Sequence, residues 1–557
     1  MAQHDYEIDN STGANVRTDI NQVLLAILSN NQGTSDPSTT LPGMLFFDTN
    51  NDLMKMRNEA NSAFINLFTA TGGPAFPVDG TINSVNIGKG ANSVSNNTVL
   101  GSGALDASVS GTANTAIGNE VMTNLTSGSN NTGMGSETLD ALTTGSNNTG
   151  LGYAALSAVV DGSNNTAVGR QALSANTASN NVGVGFYALI NNVAGTQNTA
   201  VGSQALDANT SASNNTAVGY NCMGANDTGT LNTAVGSECF ATNTTGSNNT
   251  AIGQNALNAN TTAANNTAVG RSALAANTTG DRNTCVGATA LDANTTGTDN
   301  VAIGVDALGV NVDGALNIAV GDFALDANTS GQANTAVGHA SLGSNTTANN
   351  NTAFGYNSMG SNTTGTNGTA VGVGALDTST TADNNTGIGY NALTANSTGF
   401  NNTALGSLAG DVMTTGSNCT SLGYQADPSS ATATNEVTLG NSSITAIRCQ
   451  VQTISALSDE RDKTDIVDSE DGLDIINALR PRKFTWAMRE PSDNNGKTEL
   501  GFVAQEIDAV LGDKNDYIGA VYKTNPDKLE ASYGKFVPIL VKAVQELSSK
   551  VTALEAG

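Results

Sequence analysis

The sequence predicts a mainly β protein whose central shaft winds as a parallel β-solenoid or β-roll. A motif resembling Asn-Thr-Ala-Val-Gly recurs 21 times between Asn97 and Glu436, and 19 of the 20 intervals are 17 residues long, the other being 16. Aromatic residues are 4% of the chain and charged residues 12%, so one repeat can bury little apolar surface by itself. A fixed period with one short β-capable segment per copy is typical of coils that stack on one another.

Three positions of the repeat justify this interpretation. Glycine lies four residues after the leading residue in all 21 copies, and an apolar residue precedes that glycine each time. A second apolar residue follows the glycine by four positions in 19 copies, the exceptions being Gly410 and Asp427. The leading residue is Asn in 18 copies, which predicts ladders of stacked amides. We expect both apolar positions to point inward, while the "ALxAN" step is compatible with either a strand or a helical turn.

Two apolar residues in 17 make a thin core. We therefore expect three chains to wrap together as a homotrimer, with the Val and Leu positions meeting at a shared axis. The repeat resembles the head repeats of trimeric autotransporter adhesins, which form a parallel β-roll, although the adhesin period is shorter.

Charge and composition exclude several classes of function. The net charge of -27 leaves no basic stripe for a nucleic acid, and no apolar run approaches the ~20 residues that membrane insertion needs. The first residues lack the pattern of a secretory signal, so we expect synthesis in a cytosol. The five cysteines and two histidines are scattered, and we expect no metal and no cofactor.

Composition changes after Arg448, where a connector (446–457) leads into an α+β domain (458–557). Three stretches stand out: SDERDKTDI (458–466), LRPRKFTW (479–486) and GFVAQEI (501–507). In order and spacing they resemble the self-cleaving intramolecular chaperone domain that ends endosialidase tailspikes and many phage tail fibres. The resemblance covers about the last 100 residues.

The resemblance implies a single self-cleavage between Leu457 and Ser458. Ser458 would be the nucleophile, Lys463 the general base and Asp459 a residue that orients the turn, with no activity on external substrates. Serine needs a neighbouring base, and lysine can serve when desolvation lowers its pKa.

The chain ends in apolar residues spaced 3, 4, 3, 4, 3, which form an a/d seam typical of a coiled coil: Val537, Leu540, Val544, Leu547, Val551 and Leu554. In the family this closing helix associates in threes. A device that sets register is useful in a shaft of near-identical units, because a slip by one repeat costs little.

Residues 1–70 read as a small α+β head: a helix over 16–30, then a β-meander over 44–67. Its sequence pattern resembles that of the head modules that begin phage tail fibres. This resemblance implies attachment to the phage tail, baseplate or an adaptor protein. A simple cap for the solenoid is the alternative. Residues 71–96 would be a linker or a first imperfect coil, and 97–445 the shaft.

These features together predict a homotrimeric phage tail fibre, made in the host cytoplasm and carried on the virion. Its receptor would be a glycan or protein of the bacterial surface. The alternatives are a bacterial trimeric surface adhesin, a fibre that retains its uncleaved chaperone, and an autoprotease whose main role is catalysis.

Overall fold

A computed structural model describes residues 32–36, 45–50, 53–57, 64–69, 80–82, 85–444, 446–448, 458–487, 495–523, 527 and 529–557. The chain divides into two compact units, Met1–Thr262 and Ala263–Gly557. Ten coil strands belong to the first unit and eleven to the second. Within the described residues no helix is long and apolar enough to cross a membrane.

The predicted β-meander near the N-terminus is present. Strands β2 (Leu45–Asp48), β3 (Leu53–Arg57) and β4 (Phe64–Thr69) pair antiparallel in chain order, and β1 (Gln32–Gly33) joins β2 in parallel. Asp48 is buried and forms an ion pair with the Nζ of Lys55 at 2.7 Å. The helix predicted over residues 16–30 lies outside the described residues.

Two strands precede the first full coil, in the segment predicted as a linker or imperfect coil. Strand β5 (Gly80–Ile82) pairs antiparallel with β6 (Val85–Gly88), and β6 pairs antiparallel with the first coil strand. A 3₁₀ turn, Ala91–Ser93, follows. This hairpin covers the first edge of the parallel ladder, which would otherwise present unpaired backbone groups.

The shaft is a parallel β-solenoid of 17-residue coils, as the repeat predicts. Within each unit successive strands pair one repeat apart, for example Thr216 with Thr233 and Ala217 with Ala234. The strands β7–β27 are Thr98–Gly101, Thr115–Ile117, Thr132–Met134, Thr149–Leu151, Thr166–Val168, Val182–Val184, Thr199–Val201, Thr216–Val218, Thr233–Val235, Thr250–Ile252, Thr267–Val269, Thr284–Val286, Val301–Ile303, Ile318–Val320, Thr335–Val337, Thr352–Phe354, Thr369–Val371, Thr386–Ile388, Thr403–Leu405, Thr420–Leu422 and Val437–Leu439.

Each coil closes around its own core, which corrects the expectation that both apolar positions point inward. Side chains alternate along a strand, so in Thr216–Val218 the central Ala217 is fully buried while Thr216 and Val218 face outward. The interior is filled by small residues and by the second apolar position, such as the fully buried Leu206 and Met223. The Leu positions are therefore inside the single chain and do not reach a shared axis.

The "ALxAN" step is a run of turns, neither strand nor helix. Its Leu and the residue two positions earlier both have positive φ, as at Gln204 (58°) and Leu206 (52°). The residue before the leading Asn is also left-handed, as at Asn214 (62°). Non-glycine residues pay for this conformation, and Asn tolerates it best, which accounts for the frequent Asn-Asn pairs.

The invariant glycine is required by conformation and by close stacking. Gly219 has φ of +141°, and a Cβ placed on it would lie 2.2 Å from the carbonyl oxygen of Gly236 in the next coil. Few L side chains adopt this φ, and no Cβ fits at that distance.

Two ladders of buried Asn side chains join successive coils. In the first, the backbone N–H of Asn114 donates to Oδ1 of Asn97 at 2.8 Å, and Nδ2 of Asn114 donates to the carbonyl oxygen of Gly128 at 3.0 Å. In the second, Nδ2 of Asn294 donates to Oδ1 of Asn277 at 2.9 Å. The predicted amide ladders are confirmed, and they supply hydrogen-bond partners to the buried Asn side chains.

The C-terminal region is α+β. Helices α1 (Leu473–Ala478), α2 (Ala504–Leu511), α3 (Asn515–Ile518) and α4 (Phe536–Glu555) accompany two small antiparallel sheets, β28 (Arg482–Thr485) with β29 (Thr498–Gly501) and β30 (Val521–Tyr522) with β31 (Glu530–Ala531). Single 3₁₀ turns occupy Glu460–Asp462, Gly512–Lys514 and Tyr533–Lys535. The core is formed by Ile475, Ile507, Leu511, Ala520, Val521, Phe536 and Ile539.

Candidate functional site

A short 3₁₀ turn brings the predicted site residues together. Asp459 caps the turn, and its Oδ1 accepts a hydrogen bond from the backbone N–H of Arg461 at 2.9 Å. The Arg461 guanidinium also donates to the Asp459 carboxylate, with Nη2 2.6 Å from Oδ2. These side-chain and backbone donors lower the pKa of Asp459 from its usual value. Asp459 thus caps the turn, and its carboxylate is held by Arg461.

The turn folds Lys463 back onto Ser458. The Lys463 Nζ lies 2.6 Å from the Ser458 Oγ and 3.2 Å from the Ser458 carbonyl oxygen. The backbone N–H of Lys463 donates to the Glu460 carbonyl oxygen at 3.1 Å, which fixes where the side chain starts. A hydroxyl and an amine at this distance can exchange a proton directly once the amine is neutral.

The two reactive side chains are open to water. Every residue from 458 to 467 is exposed. Leu457, which would carry the scissile carbonyl, lies outside the described residues. The structure therefore places Ser458, Asp459 and Lys463 in one turn and does not describe the bond that they would act on.

The two other strings that carry the resemblance form regular elements of the same region. LRPRKFTW supplies β28, and GFVAQEI supplies the end of β29 and the start of α2. Arg482 and Glu506, one from each string, form a two-pronged ion pair in which Nε of Arg482 lies 2.9 Å from Oε2 of Glu506. These motif residues act as structural groups, with no reactive arrangement of their own.

Sequence reasoning missed a polar anchor around Asp471. Its carboxylate accepts hydrogen bonds from the Lys514 Nζ at 2.5 Å and from the Tyr517 hydroxyl at 2.6 Å, and these donors lower the pKa of Asp471. The buried Asn515 holds the neighbouring strand through the backbone N–H groups of Ala520 and Val521, at 3.1 and 2.9 Å. Lys514 and Tyr517 lie close together in sequence, but no local pattern pairs them with Asp471, which stands 43 and 46 residues earlier.

Helix α4 has two faces with different environments. Phe536, Ile539 and Ala543 are buried against the core of the region. The predicted seam residues are all exposed, from 45% of the side chain at Leu540 to 81% at Leu554. A helix with a second apolar stripe left in water has the surface that coiled-coil association requires.

Comparison with known proteins identifies this region. Residues 458–515 match the family described as chaperone of endosialidase. No curated protein and no solved structure matches the chain. The matched segment begins at Ser458, the residue that Lys463 contacts.

The chain thus carries an endosialidase-chaperone segment after a β-solenoid shaft of about 20 coils, a combination that fits a tail fibre or a tailspike-like protein. Among the residues that the model describes, no group of three His, Cys, Asp or Glu side chains could hold a metal ion.

Proposed function

We propose that the protein is a homotrimeric phage tail fibre whose C-terminal domain directs assembly and then cuts itself off before Ser458. The observation that carries the proposal is the 2.6 Å contact between Lys463 Nζ and Ser458 Oγ, at the first residue of the endosialidase-chaperone match. This contact joins the first residue of the family segment to an amine that can serve as its base.

Trimerisation is supported by the exposed seam of α4. An isolated helix with Leu547 and Val551 about half exposed gains from association with copies of itself. Three helices joined there would align three shafts and fix their register before the coils stack.

The proposed chemistry is an acyl shift followed by hydrolysis. The Ser458 Oγ attacks the carbonyl carbon of Leu457 and gives its proton to a neutral Lys463, and the Leu457–Ser458 amide C–N bond breaks as the released amine takes that proton. Water then hydrolyses the Leu457 ester, which leaves a carboxylate on Leu457 and restores the Ser458 hydroxyl. No cofactor is needed.

Exposure of the dyad suggests how cleavage is timed. A lysine in water stays charged, and it becomes a base only when burial disfavours the ammonium form. In the proposed trimer, a neighbouring subunit would cover the turn at 458–463 and supply that burial. Cleavage would then report completed assembly.

The remaining roles follow from the tail-fibre proposal. Residues 1–70 would join the fibre to the phage tail, baseplate or an adaptor, and the shaft or the tip freed by cleavage would bind a bacterial surface glycan or protein. Three identical subunits make weak contacts effective together. The fibre would be assembled in the host cytoplasm and carried on the virion.

The test is a denaturing gel of full-length protein and three variants. Wild type should release a fragment of the last 100 residues, starting at Ser458 by N-terminal sequencing. Ser458→Ala and Lys463→Met should remain full length, while Ser548→Ala on the exposed part of α4 should cut normally. An uncut wild type that still forms trimers would refute self-cleavage, and the chaperone would then be retained.

A further inference from the structure

The outer surface of the shaft carries an apolar face that the single chain does not use. We define this outer apolar face as the residue just before each invariant glycine, joined in nine coils by an apolar or aromatic residue just after it, such as Tyr356. In the other coils the residue after the glycine is polar, or is charged at Arg170, Arg271 and Asp322. The position before the glycine is apolar in all 21 coils. In the first unit Val201, Val235 and Ile252 are 36–40% exposed, and in the second unit Phe354 and Tyr356 are 56% and 54% exposed.

Packing within the coil does not explain this face. The strand alternation sends the small central residue inward, as at Ala234, and leaves Val235 outside. An outward position without a packing role would be expected to vary between polar and apolar residues. With roughly 50–100 Å² exposed per large side chain, the face leaves on the order of 1,000 Å² of apolar surface in each unit, above the ~300–600 Å² largest patch of a typical monomer.

We infer that the outer apolar face is where the shafts of separate copies of this chain meet; the inference rests on the proposed homotrimer. A partner must offer apolar groups at the same 17-residue spacing over many coils, and a second copy of this shaft has that spacing. A closed cyclic assembly brings the same face of each copy toward one axis.

Charge supports the same face. With a net charge of -27, copies repel wherever their acidic residues face one another. Other positions of the coil carry exposed or half-exposed carboxylates, such as Asp207, Asp292 and Asp326, four residues beyond the outer face. The position before the glycine holds no charged residue in any coil. A contact centred on this position therefore has no charged side chain at its middle, while acidic residues such as Asp322 and Glu238 stand one and two residues after the glycine.

The test places one cysteine on this face of the full-length chain. Cys222, Cys239, Cys285 and Cys419 are buried free thiols, and Cys449→Ser removes the fifth. In that background Val235→Cys is compared with Thr245→Cys, an exposed position of the same coil. A short bifunctional maleimide should give covalent dimers with the first variant only. A bulky maleimide should label the first variant at least tenfold more slowly than the second, and both equally in denaturant.

The outcomes distinguish failure of the inferred contact face from failure of the proposed homotrimer. An oligomer in light scattering with Val235→Cys freely labelled and uncrosslinked, or with Thr245→Cys crosslinked instead, would overturn the inference and leave the proposed trimer standing. A monomeric wild type would overturn both. A monomer produced only by Val235→Cys, with Val235→Ile remaining assembled, would support the face as the contact.

Discussion

Replacement of one invariant glycine by alanine should weaken the stacking of two adjacent coils of the shaft. Gly338 has φ of +129°, and a Cβ on it would lie 2.5 Å from the carbonyl oxygen and 2.7 Å from the carbonyl carbon of Gly355. Ordinary contacts of a Cβ start near 3.4 Å, so the two coils must separate by close to 1 Å. The strained φ costs about 1–3 kcal/mol.

Separation also weakens hydrogen bonds between these coils. The Gly355 N–H donates to the Val337 carbonyl oxygen at 2.8 Å, and the Asn357 N–H donates to the His339 carbonyl oxygen at 3.1 Å. Each is worth about 1 kcal/mol. Together with the φ term, Gly338→Ala should lower the local opening free energy by about 3–5 kcal/mol.

Peptide-level hydrogen–deuterium exchange measures this directly. Amides over residues 335–357 should exchange on the order of 10²–10³ times faster, because each 1.4 kcal/mol is a factor of ten. The control is Gly343→Ala in the same coil, where the new Cβ would meet nothing closer than 3.2 Å and other coils already carry Ala241 or Ala275. Equal exchange in the two variants would refute the stacking argument.

Two further predictions concern polar groups inside the shaft. Burial and the neighbouring Asp411 raise the pKa of Asp427 to about 6, so this carboxyl contributes stability that is complete below pH ~4 and lost as the pH rises through 6. Thermal melts of wild type should fall from pH 4.5 to 7.5 more steeply than those of Asp427→Asn, and parallel curves would contradict this. Asn294→Leu should destabilise its unit by about 2–4 kcal/mol, because Asn277 and Asn311 each lose a buried amide partner. Gln332→Leu replaces an exposed amide side chain of the same unit and is the control, and equal denaturation midpoints would count against the ladder.

The solenoid could be predicted from the sequence because the same residue types recur at the same positions of nearly every 17-residue repeat. Sequence reasoning failed on which strand residue points inward, since Ala and Val are adjacent and both apolar. The larger residue was expected inside, yet the strand turns the smaller one, such as Ala217, inward, and the interior beside it is filled by the Leu position, such as Leu206. Leu206 in a left-handed turn was likewise unpredictable, because propensity scales assign leucine to helices.

The candidate site was predicted in part for a different reason. Ser458 and Lys463 are five residues apart, so a single turn decides their contact. Their roles were predicted through the resemblance carried by SDERDKTDI, LRPRKFTW and GFVAQEI, because an exposed serine near a lysine is ordinary by itself. The Asp471 anchor joins residues 43 and 46 positions apart, and no local pattern announces such contacts. Long-range polar pairs depend on the finished fold.

The amide ladders also bear on how this gene can change over time. The side chain of each Asn donates a hydrogen bond to the equivalent Asn one coil earlier, as Asn311 does to Asn294 and Asn328 does to Asn311. Removal or duplication of a whole 17-residue segment inside a unit would reconnect like with like and leave every interior contact of the same kind. Near-identical repeats invite such recombination in the DNA. Shaft length is therefore a trait that selection can adjust in steps of one coil, without redesign of the fold.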